Sequence, residues 1–237
     1  MAQQTDETRQ LLQAHLQRTE TKCRRILEEN PGWNQNDTRR QVLERLWYVT
    51  ASVMGLTIAT SDYFTRGAWW RTKAGLGMLE EQGKNVIKTS QALVKLAWLI
   101  VSFSVVETAL RKLYEALEEK PSPRDVYKVY KAVRRRAGIT LTYEQKAAFR
   151  LFQVTRNSIH NNSVHSAPDE DVNFAGYTIQ FKRGHKVEYA EYPILISMMD
   201  GVQDLMVATV SATPVRDLPP ITDDPASIPG ITPLLDG

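Results

Sequence analysis

The hydrophobic positions of the sequence recur at helical spacing along most of its length, which predicts a mainly α-helical protein. A first helix is expected over residues 5–29, because an Asn-Pro-Gly sequence then breaks the pattern. A second helix starts after Asn36 or Asp37, either of which can cap its N-terminus, and runs towards Ser61. We assign residues 1–84 to N-terminal helices that pack on the rest of the chain.

The local signals conflict between residues 63 and 84. Trp69 and Trp70 favour burial, whereas several glycines in the same stretch lower helix stability. We therefore expect a loop and a short, irregular helix there.

Four further helices are expected in the remainder of the chain. The longest covers residues 85–120 and ends at Pro121. Shorter ones cover residues 124–136 and 142–161, the second of which opens with a Thr-x-x-Gln capping box. The last covers residues 193–212 and is apolar over most of its surface.

A small β-hairpin is expected at about residues 176–190, after a polar loop at 165–171. Residues 177–181 alternate in the manner of a strand, Arg183-Gly184 supplies a turn, and residues 186–189 are expected to pair back. The sequence thus predicts an up-and-down helical bundle with one hairpin.

The chain as a whole is divided into three parts. The bundle proper is expected over residues 85–213, after the N-terminal helices, and residues 214–237 are expected to form a flexible, proline-rich tail.

Composition and charge add modest constraints. The net charge is only +3, so composition alone does not indicate a nucleic-acid binder. Cys23 stands alone, which excludes an internal disulfide, fits a reducing compartment and favours a packing role. The polar N-terminus does not resemble a secretory signal, and the apolar run 96–106 is too short to cross a bilayer. We expect a cytoplasmic protein without membrane contact.

Chemistry centres on one segment of the fifth helix, Arg156 to Asn162. Arg156 and His160 lie four residues apart, so both side chains project from one helix face. A guanidinium suits phosphate binding, and an imidazole can transfer protons near neutral pH. Together they suit metal-free cleavage of RNA, with Asn157, Asn161 and Asn162 positioning the imidazole or the substrate.

A purely structural interpretation of the same segment also stands. Arg156 can bond carbonyl or carboxylate groups within the bundle, His160 can be a packed histidine, and the asparagines can cap the helix C-terminus. Spacing alone favours this second interpretation, because arginine and histidine one turn apart are common.

The segment Phe149–Asn162, FRLFQVTRNSIHNN, resembles the signature helix of HEPN domains, which are small helical bundles with an arginine, a polar residue and a histidine late in one helix. The segment Phe103–Leu117, FSVVETALRKLYEAL, is similar to the earlier long helix of these bundles. The resemblance implies that Glu107, or less directly Arg111, faces the motif. The strand GYTIQF after the motif is also similar to some bacterial members.

The resemblance implies a metal-independent endoribonuclease of a bacterial toxin or antiphage system, acting as a homodimer that pools two motifs. Arg156 and His160 would be catalytic, with no metal and no cofactor. Only three residues separate Arg156 from His160, fewer than is usual in the family. The alternative is therefore a catalytically silent helical module that binds RNA, a nucleotide or a protein partner.

Two further groupings are weaker. His160, His165 and His185 with the acidic residues 169–171 lack the compact spacing of metal ligands, and the acidic residues are interpreted as a solvated turn. A basic rim near the motif could follow an RNA backbone, or it could be ordinary surface charge, with Tyr127 and Tyr130 stacking on bases or packing. Its cations are Lys128, Lys131, Arg134, Arg135, Lys146 and Arg150.

Overall fold

The computed structural model describes residues 2–63, 80–161, 164–186 and 191–222. These residues form α1 (Ala2–Glu29), α2 (Thr38–Tyr63), α3 (Glu80–Glu118), α4 (Val126–Arg136), α5 (Tyr143–His160), α6 (Tyr192–Ser211) and α7 (Thr213–Arg216), with strands β1 (Glu170–Phe174) and β2 (Tyr177–Phe181). The mainly α-helical, multi-helix fold with a small hairpin is confirmed. Most of the irregular segment expected at 63–84, including Trp69 and Trp70, lies outside the described residues.

The helix ends follow the local signals closely. Asp125 caps α4 by accepting a hydrogen bond from the backbone N–H of Tyr127. Thr142 and Gln145 form the predicted capping box at the start of α5. The main difference is at α3, which begins at Glu80 rather than near residue 85, because Gly83 is buried within the helix and packing outweighs its low propensity.

The helices pack side by side around one continuous core. α2 lies along α3, α1 packs on α2 and α6, α6 packs on α5, and α4 covers α3. The apolar run predicted in the longest helix contributes Trp98, Leu99 and Phe103 to this core. Its burial fits the general rule that continuous apolar helices belong in the interior of a large bundle.

Two helices also have the length and apolar composition of a membrane span, namely residues 85–118 of α3 and the whole of α6. In the bundle 44% of the apolar window of α3 and 56% of that of α6 are buried against other helices. Much of their apolar surface therefore already has partners within the described part of the chain.

A close approach between helices occurs where α5 crosses α6. A Cβ atom built at Gly201 would lie only 2.5 Å from the Cβ of Ala148, which is fully buried. Glycine in α6 therefore sets the distance between the helix that carries Arg156 and the last long helix of the bundle.

A polar cluster joins α1 to α6. His15 is completely buried, and its Nδ1 lies 3.0 Å from an Oδ1 of Asp200. Arg18 donates to the other oxygen of the same carboxylate at 2.6 Å. Thr19 donates to Gln203 at 2.8 Å one turn further along. Polar pairing therefore fixes the register of α1 on α6.

The described hairpin includes one strand that we did not predict. Residues 177–181 form the predicted strand, and they pair with Glu170–Phe174. Ala175 and Gly176 form the two-residue loop, both at positive φ, as tight hairpin turns require. Val172 and Phe174 face inward and are buried, so packing converts the expected acidic loop into a strand.

The predicted turn at Arg183-Gly184 is present. Gly184 has a φ of +78°, and Lys186 forms a single bridge with Val164. Residues 187–189, which we expected in the second strand, lie outside the described residues.

The expected flexible tail is ordered in its first part, which corrects the boundary at residue 214. Residues 213–216 form α7, and Thr222 bridges Asp37 at the start of α2. The guanidinium of Arg39, which is 1% exposed, donates to the carbonyls of Val215, Arg216, Leu218 and Pro219. A buried arginine thus binds a segment whose prolines made it look free.

Arg39 is itself neutralised at short range. Its Nε and Nη2 atoms donate to the two oxygens of Asp37 at 2.8 and 2.6 Å, and both side chains are buried. The guanidinium also lies 4.9 Å from the ring centre of Trp33. Such a buried pair is held by the geometry of its partners rather than by charge alone.

Cys23 packs in the core, as predicted. Burial, with a smaller contribution from Glu44, raises the pKa of its thiol to about 11. The thiol is therefore protonated near neutral pH and poorly nucleophilic.

Candidate functional site

Arg156 emerges from the last two turns of α5. Phe149 and Phe152 on the same helix are fully buried, and they fix its inward face against the core. The Arg156 side chain is 32% exposed, so it lies at the edge of the core rather than inside it. The position fits a group that can reach a ligand from a rigid helix.

The guanidinium of Arg156 rests on an aromatic ring. Its Cζ atom lies 4.8 Å from the centre of the Phe103 ring, in α3. Its Nη1 atom donates to the Oδ1 of Asn157 at 3.3 Å, and its buried Nε has no hydrogen-bond partner among the described residues. The fork is thus oriented by a ring contact while part of its donor capacity is unused.

Glu107 faces this guanidinium from α3. Its Oε2 atom lies 3.7 Å from the Nη2 atom of Arg156, whereas its Oε1 atom accepts two hydrogen bonds from Arg111 at 2.7 and 3.0 Å. The carboxylate is therefore bound mainly by Arg111, and it only partly neutralises Arg156.

Arg111 has a structural role in this arrangement. Besides Glu107, it donates to the carbonyl oxygens of Pro123 at 2.6 Å and Arg124 at 2.8 Å. It thereby holds the connection between α3 and α4 against the long helix. Because the donors of Arg111 are occupied, Arg156 is better placed than Arg111 to meet a ligand.

These residues line a cleft of about 370 Å³ between α3, α5 and the start of α4. The lining residues are Phe103, Glu107, Arg111, Arg124, Asp125, Val126, Gln153, Arg156 and Asn157. Three are cationic and two are anionic, and both anionic groups are engaged, Glu107 by Arg111 and Asp125 as the cap of α4. The cleft favours an anionic ligand.

The structure separates the asparagines of the motif. Asn157 is exposed at the rim of the cleft beside Arg156. Asn161 caps the C-terminus of α5, and its amide donates to the carbonyl of Asn157 at 3.1 Å and to the hydroxyl of Ser166 at 2.9 Å. Asn157 is thus available to a ligand, whereas Asn161 holds the loop that follows.

The two remaining motif residues are not fully described. The backbone of His160 forms the last position of α5, one turn after Arg156, but its side chain lies outside the described part of the chain. Asn162 lies wholly outside it.

The sequence did not indicate several residues of the cleft. Phe103, Arg124, Asp125 and Gln153 were missed as parts of the site. The spacing of Gln153, Arg156, Asn157 and His160 on one helix was a signal that could have identified Gln153. This side chain is 9% exposed and bonds Arg150 through its Oε1 at 3.3 Å.

A backbone carbonyl lies close to a ring nitrogen in two of the histidines considered with the acidic residues. The His165 side chain is buried, with its Nε2 2.9 Å from the carbonyl of Pro168, and His185 is exposed with its Nδ1 3.1 Å from the carbonyl of Arg183. Among the described residues, no group of three or more metal-ligating side chains is close enough to hold an ion.

The acidic residues 169–171 do not form a solvated turn. Glu170 binds Arg150 of α5 through two bonds of 2.9 Å, and Asp169 accepts from the backbone of Arg183 at 2.8 Å. They attach the hairpin to the motif helix and to the following turn.

The basic rim is only partly available. Arg150 is occupied by Glu170, and Tyr130 is buried and stacks on Phe149 with ring centres 4.0 Å apart. Lys128 and Lys131 are exposed on α4, and Tyr127 beside them is 37% exposed. Of the two roles considered for Tyr130, packing is therefore the one that the structure shows. The exposed cations of the rim are concentrated on α4.

A second cleft, also of about 370 Å³, lies between the start of α5 and the hairpin loop. Tyr143 and Tyr177 flank it and are 63% and 51% exposed. The charged residue in its lining is Glu144. It is thus less suited to an anion than the cleft at Arg156.

Comparison of this chain with protein-family models, with curated proteins and with solved structures gave no match.

Proposed function

We propose that the chain is a metal-independent endoribonuclease of the HEPN type, with the cleft at Arg156 as its RNA-binding site. The observation that carries this proposal is the position of Arg156: its partly exposed guanidinium lines a cleft, and the carboxylate of Glu107 that faces it is 3.7 Å away. A guanidinium with unused donors suits a phosphodiester oxygen.

The proposed reaction uses the substrate's own hydroxyl. The ribose 2′-oxygen attacks the adjacent phosphorus, a base accepts its proton, and the bond to the 5′-oxygen of the next nucleotide breaks as that oxygen receives a proton. The products are a 2′,3′-cyclic phosphate and a 5′-hydroxyl end. Arg156 stabilises the charge on the phosphate, and His160 transfers a proton.

A homodimer completes the proposal, because cleavage needs both a base and an acid. One motif contributes one imidazole, and two motifs across a shared cleft contribute two. A role in a toxin or antiphage system follows from the same resemblance and is part of the proposal.

A second candidate is a catalytically silent module that binds RNA through the same cleft. The contact between Glu107 and Arg156 favours it, since a carboxylate beside the guanidinium reduces the positive charge available to a transition state. This candidate predicts saturable RNA binding without any product.

The test is RNA cleavage by the purified chain with EDTA present, followed by mass analysis of the ends. Cleavage with cyclic phosphate ends is expected, with its loss in His160→Ala and at least a roughly tenfold reduction in Arg156→Lys, which keeps the charge but loses the fork. His185→Ala is the matched control, because His185 is an exposed histidine outside the cleft. Activity that survives His160→Ala would contradict the mechanism, and binding without products would favour the silent module.

A further inference from the structure

We propose that the exposed face of α4 is the track along which the RNA backbone approaches the cleft, so that the substrate is a polynucleotide rather than a mono- or dinucleotide. This inference rests on the proposed function, since the cleft must accept an RNA phosphate. We call Lys128, Lys131 and Arg135 the α4 stripe. They lie at helical spacing on one face, and all three are exposed.

The charge of the chain is concentrated at α4. Residues 124–136 contain six Lys and Arg side chains and one Asp, which gives +5, whereas the whole chain has a net charge of only +3. The remaining residues therefore total −2. An almost neutral protein thus has one strongly cationic segment, and that segment begins at the cleft.

The stripe is not neutralised within the described part of the chain. Lys131 lies 4.7 Å from the ring centre of Tyr127, and no carboxylate there forms an ion pair with any of the three cations. Arg136 at the end of the same helix differs, because Glu118 binds it at 2.6 Å. Unpaired cations in a row are the usual footprint for a chain of phosphates.

The stripe follows directly in sequence on the part of α4 that lines the cleft. Arg124, Asp125 and Val126 at the start of α4 line the cleft together with Arg156. From Lys128 to Arg135 the helix rises by about 10 Å, so the three cations are spread along the strand direction and each can meet a different phosphate. A strand held in the cleft can therefore place its neighbouring phosphates on the stripe.

The opposite face of α4 argues for a polyanion rather than a lipid surface. Val129, Tyr130 and Val133 are buried, and the helix packs on α3. A helix that lies on a membrane inserts its apolar face between lipids, and here that face is occupied by the core. What α4 offers to a partner is charge.

The test compares the salt dependence of binding to a fluorescent 2′-O-methyl RNA of about 12 nucleotides, longer than the ~3 phosphates that the stripe can meet. Because this RNA lacks the attacking hydroxyl, binding is measured whether or not the chain is a nuclease. In the triple variant Lys128→Gln, Lys131→Gln and Arg135→Gln, the slope of log affinity against log salt should become shallower by about 2, at ~0.7 for each phosphate that the protein no longer neutralises.

Two control variants make the result specific. Arg24→Gln, Arg25→Gln and Lys88→Gln remove the same charge from exposed positions on α1 and α3 and should leave the slope unchanged. Replacing the lysines of the stripe by arginine, and its arginine by lysine, should also preserve the slope of log affinity against log salt. An equal slope in the α4 triple variant and the wild type, with both melting at similar temperatures, would overturn the inference.

Two other outcomes separate this inference from its alternatives. Loss of binding to anionic phospholipid vesicles in the α4 triple variant, with RNA binding unaffected, would overturn it in favour of a membrane surface. A stripe-dependent slope in a chain that cleaves no RNA would support the inference and count against the nuclease proposal alone.

Discussion

The guanidinium of Arg156 and the carboxylate of Glu107 form a long ion pair, with Nη2 3.7 Å from Oε2, while Arg111 binds the other oxygen of the same carboxylate at 2.7 Å. One carboxylate therefore serves two arginines unequally. The tighter bond fixes the connection between α3 and α4, and the looser one leaves the guanidinium of Arg156 only partly neutralised.

Glu107→Gln should strengthen the binding of non-cleavable RNA about two- to fivefold at low salt, because a competing charge worth about 0.5–1 kcal/mol is removed. Fluorescence anisotropy measures the affinity. Glu44→Gln is the matched control, since Glu44 forms a similar i,i+4 pair with Arg40 on α2. Weaker binding by a stably folded Glu107→Gln protein would show that Glu107 positions Arg156 and does not compete for it.

Gly201→Ala should destabilise the fold by about 1–3 kcal/mol, because the new methyl group would overlap Ala148 at the crossing of α5 and α6. Gly55→Ala is the control, since nothing lies within 4 Å of a Cβ at that exposed helical position. It should stabilise by roughly 0.5–1 kcal/mol through helix propensity. Urea unfolding measures both changes, and equal effects of the two substitutions would contradict the proposed crossing.

Arg39→Met should cost about 3–5 kcal/mol, since it leaves the buried Asp37 carboxylate without its partner and frees the carbonyls of residues 215–219. The double variant with Asp37→Asn should be less destabilised than the sum of the two single variants, because no buried charge remains. Additive losses in urea unfolding would mean that the two side chains act independently.

Asp200 makes the free energy of unfolding depend on pH in the acid range. Burial alone would raise the pKa of this carboxyl, but the hydrogen bonds from His15 and Arg18 outweigh it and lower the pKa. The stabilising contribution is therefore present above the ordinary carboxyl range of about 3.9 and is lost as pH falls below it.

Asp200→Asn should accordingly reduce the free energy of unfolding by about 1–3 kcal/mol at pH near 7, with the gap to the wild type narrowing below about pH 4. Urea unfolding across this range is the measurement. Asp204→Asn is the control for a general charge effect. Asp204 lies on the same helix as Asp200, and its carboxylate pairs at the surface with Lys22 of α1. A gap that stays constant with pH would exclude Asp200 as the titrating group.

The candidate site was only partly accessible from the sequence. Local spacing placed Arg156 and Asn157 on one helix, and the family resemblance suggested Glu107. Nothing local indicated that Phe103 would lie under the guanidinium or that Arg124 would reach the same cleft. These contacts bring α5 together with α3 and the start of α4, and they depend on how the helices pack.

Some cations could not be assigned a role before the fold was known. Arg150 looked as free as Lys128, yet Glu170 binds it through two hydrogen bonds. Whether a charge is available depends on a partner 20 positions away in the chain, and the partner is set by packing of the hairpin.

The sequence by itself determined the helices, because caps, prolines and apolar periodicity act over a few residues. Thr142 and Gln145 mark a helix start that the structure retains. Only the tertiary structure decided that residues 170–174 form a strand, that Arg39 binds the segment 215–219, and that Gly201 sets the distance between α5 and α6. Those outcomes depend on burial against distant elements, and burial is a property of the assembled fold.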